Sequence, residues 1–308
     1  MQKKKIWLIV IFAVLVYLVM IIFADLDKSA EAFGNFNWIV LPAILCLAII
    51  NYLIRFLRWN YLLKKVDVHL KLKDNLFIFF SGLAMIITPG KIGEIWKGWL
   101  IKDLNGEKLG KTIPVVLTDR LTDVIGLLIL SVMGVFLYYE EGIYLLVIMF
   151  VLIVAFVFFV RSNFVIGKIF EFVKKRVKEH SEDITTVQTS FNKLMEPKGL
   201  ISMSIISSFA WFFECIGLSL VLYGFGENLG IIKSTFIFSF SSLAGAVSMI
   251  PGGLGVAEGS ISGFLKLFGF SSTISVWSSL IIRLGTIWFG TLLGVVIYLT
   301  FRKKLKKT

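Results

Sequence analysis

About six stretches of this chain stay largely apolar for 18 residues or more, and that length decides most of what it can fold into. They are Ile6–Ala24, Trp38–Phe56, Ile113–Tyr139, Ile143–Val160, Ile201–Phe225 and Ile274–Phe301. A helix of about 20 apolar residues crosses a bilayer, and in hydrocarbon every backbone amide must be bonded within its own segment. The expected fold is therefore all-α, a polytopic membrane protein. Hydrophobic residues make up 57% of the 308, mean hydropathy is +0.87, and the spans leave no room for a folded soluble domain. A single integral membrane domain over 1–308 is expected. Met1–Lys5 and Ile6–Ala24 have the outline of a signal peptide. The run is long for one, and Asp25–Lys28 offers no small-residue cleavage site, so it reads as a span.

Lysine and arginine placement orients these spans. Met1–Lys5 is basic, which puts the N-terminus in the cytoplasm, and the loop with Asp25, Asp27 and Glu31 outside. Trp38–Phe56 then returns, with Trp38 at the outer interface and Arg55 and Arg58 at the inner one. Trp59–Asn75, with Lys64, Lys65, Lys71 and Lys73, suits an elbow on the cytoplasmic leaflet. Leu76–Thr88 is too short to span and is followed by the lysine-rich stretch Lys91–Thr112, so it reads as a hairpin entering and leaving from the cytoplasm. Ser162–Leu200 is polar and basic (Lys168, Lys174, Lys175, Arg176, Lys178), a cytoplasmic surface segment facing anionic lipid headgroups. The basic tail Arg302–Lys307 places the C-terminus inside. Ile274–Phe301 must then run inward, and Ile231–Gly269 must be re-entrant from the outer face. The chain is expected in the cell membrane.

Inside that last segment, Ser239–Gly263 begins as a membrane helix and then meets Pro251, Gly252, Gly253 and Gly255, with Glu258 just beyond. Proline removes an amide donor, and glycine costs a helix about 1 kcal/mol per residue. Backbone opened at depth persists only where protein buries it or a wet cavity receives it. A tight turn outside the membrane is the plainer alternative. The first hairpin carries the same signal in Pro89, Gly90, Lys91, Gly93 and Glu94. Both segments read F-S-x-L-A (from Phe80 and Phe240), then P-G-x-x-G, then a glutamate. Each precedes an Arg-Leu pair at matching distance, 120 − 89 = 31 and 283 − 251 = 32, with Gly126 and Gly290 beyond. This order predicts two repeat units, about 6–139 and 143–301, inverted relative to each other as in many secondary transporters.

Charges within the apolar runs need a reason, because each costs roughly 2.5 to 3.5 kcal/mol near a helix centre. Asp119, Arg120 and Asp123 lie in one span, Glu214 in another and Arg283 in the last. Arg120 and Asp123 can pair at i, i+3, leaving one carboxylate for Arg283 or Lys91 to answer. Arg283 is equally a partner for Glu214. Structural ion pairs holding the halves together are one reading, and a polar path through the bilayer is the other. On the second, Arg120 and Arg283 would grip an anionic headgroup, because the guanidinium fork holds two oxygens at once. Glu94, Asp123 and Glu258 would then gate the path or handle protons, and Asn51, Thr118 and Ser248 would line it.

Four segments, Thr88–Gly98, Thr118–Gly126, Ser248–Gly259 and Ile281–Thr286, together resemble the lysylphosphatidylglycerol synthase transmembrane-domain family of flippase-like membrane proteins. The resemblance covers nearly the whole chain. It implies an all-helical membrane fold and movement of a lipid between leaflets, aminoacylated phosphatidylglycerol being the best-known cargo. Members that synthesise that lipid carry a soluble transferase domain after the membrane part. This sequence stops at Thr308, so synthesis is not expected.

The leading expectation is thus a translocase of a phospholipid or polyprenyl-phosphate-linked lipid that needs no cofactor. No GxxxxGK[ST] phosphate loop is present for direct use of ATP. An intramembrane enzyme finds little material, since the two histidines, His69 and His180, fall in polar segments. An accessory scaffold for a lipid-modifying or glycosyl-transferring enzyme, and a secondary transporter of a soluble anion, stand as alternatives. A homo-oligomer or a partner enzyme is compatible with either. Cys46 and Cys215 lie in apolar runs and suggest no disulfide, and the net charge of +12 is that of a membrane surface rather than a nucleic-acid face.

Overall fold

In the computed structural model, which describes residues 14–22, 26–88, 93–162 and 181–301, the helices expected from the apolar runs are present and no strand occurs among the described residues. The chain is an all-α, multi-pass membrane protein. Residues 14–22 form α1, the described part of the first apolar run. The acidic loop after it contains a short helix, α2 (Leu26–Asn35). α3 (Val40–Lys65), α6 (Leu109–Tyr138), α7 (Ile143–Arg161) and α9 (Pro197–Gly224) are long and apolar enough to span. So is Ser272–Phe301, which makes five such helices among the described residues.

Around the two proline-glycine breaks the chain forms helix–break–helix pairs. α4 (Leu72–Gly82) continues as a 3-10 turn, Leu83–Met85, and α5 (Trp96–Asn105) follows the first break. α10 (Ile231–Val247) and α11 (Val256–Leu267) flank the second, whose Pro251–Gly253 forms a 3-10 turn. α8 (Ser181–Leu194) lies before α9. The final span is not one regular helix. α12 (Ser272–Arg283) passes through a π turn, Leu284–Trp288, into α13 (Phe289–Phe301). A π turn takes one extra residue and loosens a carbonyl, and Tyr52 Oη donates to the freed Thr286 carbonyl at 2.7 Å.

Two expectations need correction. The cytoplasmic elbow does not begin at Trp59: α3 runs on to Lys65, Trp59 is fully buried, and the chain turns only at Val66 to Lys71. Apolar Leu62, Leu63 and Val66 keep that end of α3 inside the protein, under α8. Likewise the interval Ser162–Leu200 gives up its last residues to α8 and to α9, which starts at Pro197. Its basic residues Lys168, Lys174, Lys175, Arg176 and Lys178 lie outside the described residues, as do Met1–Lys5 and Arg302–Lys307. Two ion pairs close this end, Lys193–Asp67 at 2.6 Å and Lys65–Glu196 at 2.8 Å. The hydrogen bonds from these lysines hold both carboxyls below their usual range.

The same pairings recur in both halves. α5 packs on α6, and α11 on α12, the long helix following each break. α4 packs on α13, and α10 on α6, the long helix of the other half. Between the halves α3 crosses α9, where Asn51 Nδ2 donates to Ala210 O at 2.9 Å. Glycines permit the closest approaches. A Cβ at Gly294 would fall 2.3 Å from Ala84 N on the α4 side, and one at Gly134 would fall 2.2 Å from Phe236 Cβ on α10. Small residues at such contacts are how membrane helices gain packing energy without a hydrophobic drive. Gly294→Val should therefore lower the thermal midpoint in detergent, by about 1–3 kcal/mol of stability. Gly263→Ala, with open space around it, should leave the midpoint unchanged or raise it.

Candidate functional site

The charged residues of α3 and α6 are spaced to meet. Arg55 and Arg58 sit at i, i+3 on α3, and Asp119, Arg120 and Asp123 occupy adjoining faces of α6. Since α6 starts at Leu109 rather than Ile113, these three lie about 15 to 21 Å along the helix. Arg58 Nη2 reaches Asp119 Oδ1 at 2.6 Å and Asp123 Oδ1 at 2.8 Å. Arg120 closes the other side, with Nη1 on Asp123 Oδ2 at 2.9 Å and Nη2 on Asp119 Oδ2 and Glu94 Oε2, each at 3.0 Å. Lys97 Nζ lies 3.1 Å from Glu94 Oε2 and 3.5 Å from Asp119 Oδ2, with the Trp59 ring centroid 4.4 Å away. Arg55 Nη2 is 3.3 Å from Asp123 Oδ2. Four cations thus surround three carboxylates.

This corrects two expectations. Arg55 and Arg58 are not at the inner interface; they are 2% and 1% exposed and belong to the buried network. The surplus carboxylate of α6 is answered by Arg58, Arg55 and Lys97, not by Arg283. Arg283 is committed elsewhere: its Nε donates to Glu258 Oε1 at 2.7 Å and its Nη2 to the Gly252 carbonyl. Lys91, Pro89 and Gly90 lie outside the described residues.

The second break is built around Glu258. Gly252, Gly253 and Gly255 have φ of +62°, +68° and +83°, a region that glycine enters without a Cβ penalty. Glu258, three residues beyond Gly255, turns back to accept the Gly255 amide at 2.7 Å, satisfying a donor at the start of α11. Tyr17 Oη donates to Glu258 Oε1 at 3.2 Å and accepts from Trp288 Nε1 at 2.7 Å. At the first break Thr88 Oγ1 accepts from Gly93 N at 2.9 Å. Ser248, eight residues after Phe240 as Thr88 is after Phe80, donates to Gly245 O. Each break's glutamate thus pairs with the arginine of the following long helix, Glu94 with Arg120 and Glu258 with Arg283.

Between these clusters lies a cavity of about 190 Å³. Arg55, Arg120 and Asp123 form part of its wall from the first half, Glu214 and Arg283 part from the second. Thr88 borders it from the first break, and Ile250, Gly252 and Gly253 from the second. Glu94, Asp119 and Glu258 are fully buried behind this wall. Asn51, Thr118 and Ser248 do not line it; Asn51 instead holds the α3–α9 crossing. Three arginines and two carboxylates face the cavity, and two of those arginines, Arg120 and Arg283, are already paired with the glutamates behind the wall.

Arg58 faces away from the cavity and carries two carboxylates, so its role is structural. Breaking a buried pair from one side costs about 3–5 kcal/mol. Arg58→Met should lower the detergent melting midpoint accordingly, and adding Asp119→Asn should restore part of the loss. Lys193→Ala, at an exposed pair, should not move it.

The sequence matches the family described as "Lysylphosphatidylglycerol synthase TM region" over residues 9–294. It is 24% identical to a UPF0104 membrane protein of Methanothermobacter thermautotrophicus, over 96% of this chain and 93% of that one. A UPF0104 membrane protein of Pyrococcus horikoshii is 22% identical, over 98% of both chains. No solved structure matches.

Proposed function

The chain belongs to the lysylphosphatidylglycerol synthase TM-region family, and from that membership and the cavity we propose that it is a lipid translocase. In this reading a phospholipid or polyprenyl-phosphate-linked headgroup passes through the cavity while its acyl chains stay in the bilayer. One observation carries the reading: a single cavity collects both helix breaks, three arginines and two carboxylates between the halves. Its volume is below the roughly 300–1,000 Å³ of clefts that engulf a whole small molecule, which suits a headgroup with chains left outside. The chain acts as a carrier rather than an enzyme. Glu214 and Arg283 are the wall residues whose pairing would alter as the cargo moves.

The proposed cycle needs the two breaks to open on opposite faces. The recurring pairings support two equivalent halves, each half's break lying between its own long helix and that of the other half, and the opposite orientation rests on the placement of lysine and arginine along the sequence. The N- and C-termini are then both cytoplasmic. The exposed positions Asn105, after the first break, and Leu267, after the second, provide a test. In a background with Cys46→Ser, which removes the exposed native thiol, Asn105→Cys should react with a membrane-impermeant reagent from the cytoplasmic side. Leu267→Cys should react from the other side. Reaction of both from one side would overturn the inverted arrangement.

Translocation itself is measured with purified protein in liposomes carrying a fluorescent phospholipid, with and without a pH gradient. The expected result is movement of label between leaflets. Arg120→Lys and Arg283→Lys, which keep the charge but lose the planar fork, should slow it by about tenfold or more. A scaffold would tolerate both replacements, and an anion carrier would move free phosphate in place of lipid.

A further inference from the structure

Two arginines of the cavity wall keep buried nitrogens without an acceptor, Arg55 and Arg120; Arg120 still donates to Asp119, whereas Arg55 makes no hydrogen bond among the described residues. Asp123, its only carboxylate contact among the described residues, already takes shorter contacts from Arg58 (2.8 Å), Arg120 (2.9 Å), Ser207 Oγ and Trp211 Nε1 (both 3.1 Å). The Arg55–Asp123 approach, 3.3 Å, has no hydrogen-bond geometry: Arg55 Nε and Nη2 both lack an acceptor among the described residues. Those two nitrogens form the side-on edge of the guanidinium, the edge that grips two oxygens of one phosphate. Arg55 is only 2% exposed, and its guanidinium carbon sits 5.5 Å from the Trp211 ring centroid in the same wall. A buried, aligned donor pair without an acceptor is costly unless something binds it.

We propose that Arg55 is the residue that grips the cargo of this cavity, and that the group it grips is a singly charged phosphodiester. The inference rests on the cavity being the cargo site. The charge follows from the network around the grip, where Arg55, Arg58, Lys97 and Arg120 exceed Glu94, Asp119 and Asp123 by one, while Arg283 is matched by Glu258. A phosphomonoester would bring close to two negative charges and leave one unanswered in a low-dielectric space. The position of Arg55 adds a direction. It lies four residues past the crossing residue Asn51 on α3, as Glu214 lies four past Ala210 on α9 (55 − 51 = 214 − 210 = 4). The two equivalent places carry opposite charges, so the phosphate belongs on the α3 side.

The test is binding to the purified full-length chain in detergent at pH 8, with four probes: dihexanoyl phosphatidylglycerol, its deacylated glycerophosphodiester, dihexanoyl phosphatidic acid and inorganic phosphate. Wild type should bind the acylated diester, and both Arg55→Gln and Arg55→Lys should weaken it by about tenfold or more. Arg55→Lys keeps the charge next to Asp123, so it serves where Arg55→Gln fails to elute as a single species. Wild-type affinity in Arg55→Lys, or phosphatidic acid or inorganic phosphate binding as tightly as the diester, overturns the proposal. Equal binding of the deacylated diester leaves Arg55 as the grip and overturns the lipid reading beneath it. Lipid transport in liposomes that is indifferent to Arg55→Lys does the reverse.

Discussion

A carboxylate held against an arginine inside the bilayer is the interaction on which both halves depend. Opening a helix at depth frees amides and carbonyls that hydrocarbon cannot satisfy, so a break needs a polar side chain of its own. Glutamate supplies acceptors, but as an ion it cannot stay unpaired there. The pairing arginine comes from the following long helix, 120 − 94 = 26 and 283 − 258 = 25 residues later. The pair therefore closes the break chemically and pins it to a span. Arg283 does both at once, bonding Glu258 and the Gly252 carbonyl that the break leaves without a helical partner.

The rest of the packing accommodates that pairing. Gly126 presses on the backbone of α9 at Ser208, and Gly290 on Tyr52 of α3, so each long helix approaches the central helix of the other half closely. With α3 and α9 held at Asn51–Ala210, the two breaks face one another across the space that remains. The cavity is thus where two interrupted helices and two continuous ones cannot all touch. Polar wall residues are tolerable because most are already held in ion pairs.

Much of this was legible in the residues. Apolar length gives the spans, and Pro251 with its glycines, like the matching segment before Gly93, gives the breaks. The shared order of glutamate and arginine gives the two latches. Arg55, Arg58 and Lys97 were not legible as site residues, because a basic residue near the end of an apolar run ordinarily reaches interfacial water. The available signal was local: Arg55 and Arg58 share a face, and the run continues past them through Trp59, Leu62 and Leu63. The box around Lys97, made by Trp59 and Phe79 from different helices, depends on contacts distant in sequence. The π turn after Arg283 likewise has no local signature; it answers to Tyr52, 286 − 52 = 234 residues away.

The halves share a scaffold yet differ in how firmly each break is tied. The first is bound through a seven-membered network joining α3, α5 and α6 with Glu94. The second hangs on one arginine–glutamate pair, two hydrogen bonds involving Tyr17 and a backbone carbonyl. Separating ions in the first half would strand several charges together, each costing several kcal/mol; separating the second strands one pair. In the proposed translocation cycle the second break is therefore the one expected to move, with the first as its fixed reference. A cargo anion held at Arg55, on the fixed side, would remain bound while the opposite wall changes, which is what passage from one face to the other requires.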